Sequence, residues 1–128
     1  MIGEEQMGIL YKRLAIYVAG PYSPSSTTLI HDAARVAHQN TMRAITVGLD
    51  IIKKGHYPYI PHLSHFIHLN AEKDYGEFYY EYDNIWLDKC DALFYMGPSI
   101  GADAELQRAS MANKPIFYTL DEVPIIRR

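Results

Sequence analysis

Residues 14–19, Leu14-Ala15-Ile16-Tyr17-Val18-Ala19, are almost continuously apolar and stop at Gly20-Pro21. A strand with one wet face alternates polar and apolar residues. A run without that alternation has no face to give to water, so it reads as a central strand covered on both sides. Three further short runs are candidate strands: residues 57–60, 91–96 and 115–119. Helical patterns separate them. The first, over residues 27–54, carries an apolar stripe of Ala33, Val36, Ala37, Ala44, Ile45, Val47, Ile51 and Ile52, with a possible break near Asn40 and Gly55 as the residue that stops it. Residues 63–69 read as a short helix or loop. Residues 77–89 read as a helix with Phe78, Tyr82, Ile85 and Trp86 near helical spacing, and residues 102–112 as a last helix ending at Asn113. The order βαβααβαβ predicts an α/β fold: a small doubly wound, Rossmann-like or flavodoxin-like parallel sheet of four to five strands with helices on both faces.

Composition narrows the classes. A chain of 128 residues, 48% hydrophobic and 21% charged, is read as one domain spanning residues 1–128, with residues 1–12 as a loose leader. A formal net charge of −3 gives no broad attraction to nucleic acid. No apolar run approaches the roughly 20 residues of a membrane span, and no membrane partner is expected. The first residues lack the basic-then-apolar order of a signal peptide. Cys90 is the one cysteine, so no internal disulfide can form; it reads as a small buried apolar residue, and a cytoplasmic location is the default.

Ligands of open parallel sheets bind beyond the carboxyl ends of the strands. Two such ends are marked here by small, turn-forming residues. Gly20-Pro21-Tyr22-Ser23 follows the first strand, and Gly97-Pro98-Ser99-Ile100-Gly101 follows the strand at 91–96. The fold therefore brings two distant blocks to one edge of the sheet. Ser99 to Gly101 opens a helix, where free backbone N–H groups and the helix dipole suit an anionic or hydroxyl-rich ligand. Glu105 lies about one turn in. Its carboxylate either complements the helix N-terminus or, beside a sugar, attacks an anomeric carbon.

Three blocks together, residues 14–23, Asp83-Asn84-Ile85-Trp86-Leu87-Asp88-Lys89-Cys90-Asp91-Ala92 and Ser99-Ile100-Gly101-Ala102-Asp103-Ala104-Glu105, resemble the nucleoside 2′-deoxyribosyltransferase superfamily. The nucleoside 5′-monophosphate N-glycosidases look closest, and the resemblance runs from about residue 14 to 118. It implies an enzyme that cleaves the N-glycosidic bond of a (deoxy)nucleoside or its 5′-monophosphate through a glycosyl–Glu105 intermediate. Water as acceptor gives hydrolysis; a second base gives transfer. By the same resemblance Tyr17 positions the Glu105 carboxylate, and Asp83 contacts sugar or base and assists departure of the base. Ser99 corresponds to a serine that binds the 5′-phosphate, where transferases carry an aspartate. With the Gly101 N–H and one of Ser23, Ser25 or Ser26 it would form a phosphate cradle. Gly20-Pro21-Tyr22 is closer to the transferases, so the two subclasses are mixed in this chain.

His62, His65 and His68 recur every three residues. On an α-helix that set spreads over about 120° of surface, poor geometry for one metal. His62 or His65, just beyond the second strand, is instead expected to line a base pocket, the alternative being ordinary packing. No metal and no cofactor is called for. Phe78, Tyr79, Tyr80 and Tyr82 exceed what one helix face needs, which points to a homodimer or larger assembly. A non-catalytic nucleotide-binding module on the same scaffold is the competing functional class.

Overall fold

The computed structural model describes residues 12–23 and 32–126. The expected leader (apart from Lys12), the start of the first helical pattern and the candidate phosphate contacts Ser25 and Ser26 lie outside the described residues. Within them run β1 (Ala15–Ala19), α1 (Ala33–Lys53), β2 (Tyr57–Tyr59), α2 (Ser64–Asn70), α3 (Gly76–Lys89), β3 (Ala92–Tyr95), α4 (Ile100–Met111) and β4 (Ile116–Phe117). Short 3₁₀ turns occupy Pro61–Leu63 and Leu120–Glu122.

The four strands form one parallel sheet in the order β2-β1-β3-β4. This is the small Rossmann-like α/β fold that the alternation of elements predicts. From β1 the chain moves outward to β2, then crosses back to β3 and on to β4. Crossovers of one hand running in opposite directions place their helices on opposite faces. Accordingly Ala44 and Ile51 of α1 pack with Ile16, Val18, Ala92 and Phe94 on one face. Leu87 of α3 and Ala102 and Ala109 of α4 pack with Tyr17, Ala19 and Leu93 on the other. β1 is buried on both sides, as its unbroken apolar run requires.

Helix ends follow local chemistry. At the end of α1, Gly55 N–H bonds Ile52 O at 2.9 Å and His56 N–H bonds Ile51 O at 3.2 Å, with Gly55 at φ +98°. This is the Schellman arrangement, which needs a left-handed residue. Asn113, at φ 59°, repeats it after α4 through Asn113 N–H to Ser110 O and Lys114 N–H to Ala109 O. Ser99 caps the start of α4, its Oγ accepting from Ala102 N–H at 3.0 Å.

Three expectations need correction. α1 runs unbroken through Asn40; Asn40 sends its side-chain amide to Tyr22 O at 3.1 Å, so a polar residue at mid-helix serves the loop after β1 instead of ending the helix. The buried line of α1 is Thr41, Ala44, Gly48 and Ile51, while Ile52 is exposed. Gly48 is in that line because a Cβ there would run into Ile60 Cδ1, so the helix rides close on the segment after β2. On α3, Leu87 alone is buried, whereas Phe78, Ile85 and Trp86 stand exposed. Among the described residues no helix is long and apolar enough to cross a membrane.

Candidate functional site

A cleft of about 1230 Å³ opens beyond the carboxyl ends of β1 and β3, where the strand order reverses. That is where open α/β sheets bind ligands, because adjacent loops diverge to opposite faces. Nine residues singled out from sequence line it: Gly20, Pro21, Tyr22 and Ser23 after β1; His62 after β2; Asp83 on α3; and Ser99, Gly101 and Glu105 at α4. The tenth, Tyr17, lies behind the cleft wall, fully buried in β1.

Tyr17 reaches the cleft through one bond: its hydroxyl donates to Glu105 Oε2. The strand places a phenol in the core and the second turn of α4 lowers a carboxylate onto it. Glu105 is therefore partly buried at the foot of the cleft. The role of complementing the helix N-terminus falls to Asp103, the acid of the first turn, which accepts from Tyr95 Oη at 2.6 Å. Burial pushes the Glu105 carboxyl up to about 7; the Tyr17 hydrogen bond pulls it down and the negative charge of Asp83 raises it again. Tyr17 in turn is held far above the usual phenol range, first by burial and then by the Glu105 charge.

Asp83 differs from Glu105 in one respect. Burial likewise pushes it up to about 7, but its Oδ1 is buried without a hydrogen-bond partner. A carboxylate with a donor is easier to ionise than one without. Two nearby acids cannot both ionise cheaply, so the pair loses its first proton more readily than its second.

His62 is buried and its Nε2–H is shared between Gly20 O at 3.0 Å and Pro21 O at 3.1 Å, which fixes the loop after β1. Its Nδ1 has no partner, and burial lowers its basicity. The ring is thus held neutral, with an unpartnered acceptor buried behind the cleft wall. His65 does not line the cleft. It packs behind Tyr22, with Nδ1 3.0 Å from Tyr22 Oη and Nε2 3.3 Å from His38 Nδ1. The Tyr22 ring lies 6.3, 5.7 and 6.2 Å from the rings of His62, His65 and His68. The three histidines surround one aromatic ring, His62 from the 3₁₀ turn and His65 and His68 from α2. Among the described residues no group of three potential ligands is placed to hold a metal ion.

At the start of α4, the Ser99 side chain is engaged as the helix cap yet keeps its own hydroxyl proton. The N–H groups of Ile100 and Gly101 precede the first intrahelical bond of α4. Ser23 is exposed at the rim. The cleft also takes in residues that sequence reasoning missed, notably Asn40, His68, Tyr79, Tyr80 and Arg108. The α3 tyrosines were visible only as an excess of aromatics; nothing in the sequence says which of them turn to the cleft. Arg108 is paired bidentately with Asp88 at 2.8 and 2.7 Å, which takes up much of its donor capacity.

Residues 14–119 match the family described as a domain of unknown function (DUF7768). The chain belongs to the DUF7768 family. The match begins one residue before β1 and ends just after β4, so the DUF7768 unit contains the whole sheet and every described residue of the cleft. No curated protein matches the chain at a significant level.

Proposed function

We propose that this DUF7768 protein is an N-glycosidase or deoxyribosyltransferase-like enzyme that acts on a (deoxy)nucleoside or its 5′-monophosphate. The observation that carries the reading is the part-buried Tyr17–Glu105 hydrogen bond with Asp83 beside it, at the switch point of the sheet. A module that only bound a nucleotide would have no use for two carboxyl groups held close to neutrality at the cost of burial.

The chemistry follows from the unequal surroundings of the two acids. Glu105, steadied by Tyr17 at Oε2, presents Oε1 to the anomeric carbon. As the C1′–N bond breaks, a C1′–O bond forms to Glu105, and the proton of Asp83 passes to the departing base. Water or a second base then attacks C1′, Asp83 takes up the proton that the acceptor releases, and Glu105 leaves as carboxylate. Such a pair works with one acid ionised and one protonated, so turnover should peak near neutrality and fall on both sides. Tyr22, His62 and His68 offer an aromatic wall to the base. The Ser99 hydroxyl and the N–H groups of Ile100 and Gly101 offer donors to a 5′-phosphate or a 5′-hydroxyl.

A cytoplasmic, cofactor-independent and self-associating enzyme completes the reading. The exposed Phe78, Tyr80, Ile85 and Trp86 on α3 support self-association. The test is incubation with a panel of nucleosides, deoxynucleosides and their 5′-monophosphates, read for free base with and without an acceptor base. Base release with a sugar adduct on Glu105 in acid-quenched samples supports the reading. Tight binding without release from any substrate overturns it in favour of a binding module. A faster rate on monophosphates than on nucleosides assigns the Ser99 end to phosphate; equal rates assign it to the 5′-hydroxyl.

A further inference from the structure

Tyr59 closes β2 and has a place in the sheet that no motif marks. It is the register partner of Tyr17 across the β1–β2 pair. The two rings stack at 5.4 Å with 26° between planes. Tyr59 also stacks with Trp86 at 5.8 Å and 20°, and Trp86 stands one turn beyond Asp83 on α3. The Tyr59 hydroxyl lies near Tyr82, the neighbour of Asp83; burial first, then the Asp83 charge and Tyr82, hold it above the usual phenol range. One side chain thus touches, on one side, the phenol that holds Glu105 and, on the other, the helix that carries Asp83.

We propose that Tyr59 is a positioning residue: stacked against Tyr17 and Trp86, it holds the Tyr17 hydroxyl on Glu105 and sets α3, with Asp83, in fixed relation to it. A phenol in a strand can swing about two side-chain torsions, and its hydrogen bond to a carboxylate is directional. Aromatic stacking supplies the lateral restraint that apolar packing alone gives less sharply. The column also explains why Trp86 stays against Tyr59 although it is 42% exposed. The consequence for turnover rests on the enzymatic reading above; the positioning itself does not.

The test is a titration of the Glu105 carboxyl by NMR on side-chain-labelled protein, for wild type, Tyr59→Phe, Tyr59→Leu and Trp86→Ala. Tyr59→Leu removes the stack, so the Tyr17 bond loosens and the Glu105 midpoint rises by about one pH unit. Tyr59→Phe keeps the stack and leaves the midpoint in place. Trp86→Ala removes the outer support, shifts it less in the same direction, and carries the test if Tyr59→Leu does not fold. An unmoved Glu105 midpoint in the folded stack-breaking variants overturns the proposal, as does an equal shift in Tyr59→Phe. A midpoint that moves as stated in a protein that releases no base leaves the positioning role standing and removes the enzymatic one.

Discussion

The two faces of the sheet are built from the same strands and do different work. On the α1 face, Ile16 and Val18 of β1 and Ala92 and Phe94 of β3 meet Ala44 and Ile51, with Phe117 and Val123 closing the layer. That cluster is apolar throughout, and Thr41 in the buried line of α1 turns its hydroxyl back to Ala37 O at 2.9 Å. On the α3–α4 face, Tyr17 and Leu93 meet Leu87, Ala102 and Ala109, and Tyr59 and Tyr95 pack at the margin. Three phenols lie on or beside that face, and two of their hydroxyls are bonded to a helix: Tyr17 to Glu105 and Tyr95 to Asp103. Alternate residues of one strand therefore supply a dry layer that holds the fold and a polar-tipped layer that holds carboxyl groups at a cleft. Burying a polar tip is tolerable only with a partner, so the second face is constrained by its pairs and the first by volume.

This contrast is sharpest at Glu105. Glu105→Gln keeps the size and the acceptor for Tyr17 but cannot capture C1′, so base release should fall by about a thousandfold or more. Retention of more than about a tenth of the rate would end the assignment of the polar face to chemistry.

Ile51→Ala probes the opposite face. It should lower unfolding free energy by about 2–5 kcal/mol, the usual cost of a buried large-to-small change, measured by denaturant melts. The rate per folded molecule should not change. A changed rate would mean that the two faces are coupled through the sheet.

Asp83→Asn should slow substrates with poor leaving bases by about a hundredfold, and activated ones far less, because an amide has no proton to give. A uniform loss would reassign Asp83 to holding the sugar.

The smallest effect concerns stability and pH. Glu105 titrates near 7 when folded, against an ordinary glutamate value of 4.5. The folded state thus binds the proton more tightly than the unfolded one. Wild-type stability should therefore fall as pH rises from about 4.5 through 7 and level off above. Glu105→Gln removes the Glu105 share of that slope and leaves the share of Asp83, so it should be the more stable protein at pH 8, by about 2 kcal/mol, and should lose this advantage below about pH 4.5. Thermal melts at pH 4 and pH 8 check the sign. A variant less stable than wild type at pH 8 would show that the carboxylate is stabilising, and the contrast between the faces would fail.

Much of the cleft was legible before folding. Gly20 to Ser23 and Ser99 to Glu105 sit after apolar runs, and turns after parallel strands share one edge of a sheet by topology alone. Glu105 was legible as a residue type in that setting, whereas Asp83 was named only through the family resemblance. Other features were not. The helical spacing of His62, His65 and His68 predicts divergence, yet all three rings lie against Tyr22, which the loop after β1 brings over them, and His65 stays outside the cleft lining. Asn40 reads as a helix weakness, and only its contact with Tyr22 O shows its use.

The sequence by itself determined the element order, the parallel sheet and the edge on which the cleft opens. These depend on local period, on turn and cap residues and on chain crossovers, all of which are properties of neighbouring residues. Tertiary structure alone decided that Tyr17 meets Glu105, that Asp83 is left without a partner for Oδ1, and that Tyr59 stands between Tyr17 and Trp86. Tyr17 and Glu105 are 88 positions apart. Whether a carboxyl group is ionised at such a site depends on the water and the donors that distant segments remove or supply, and no local pattern encodes that.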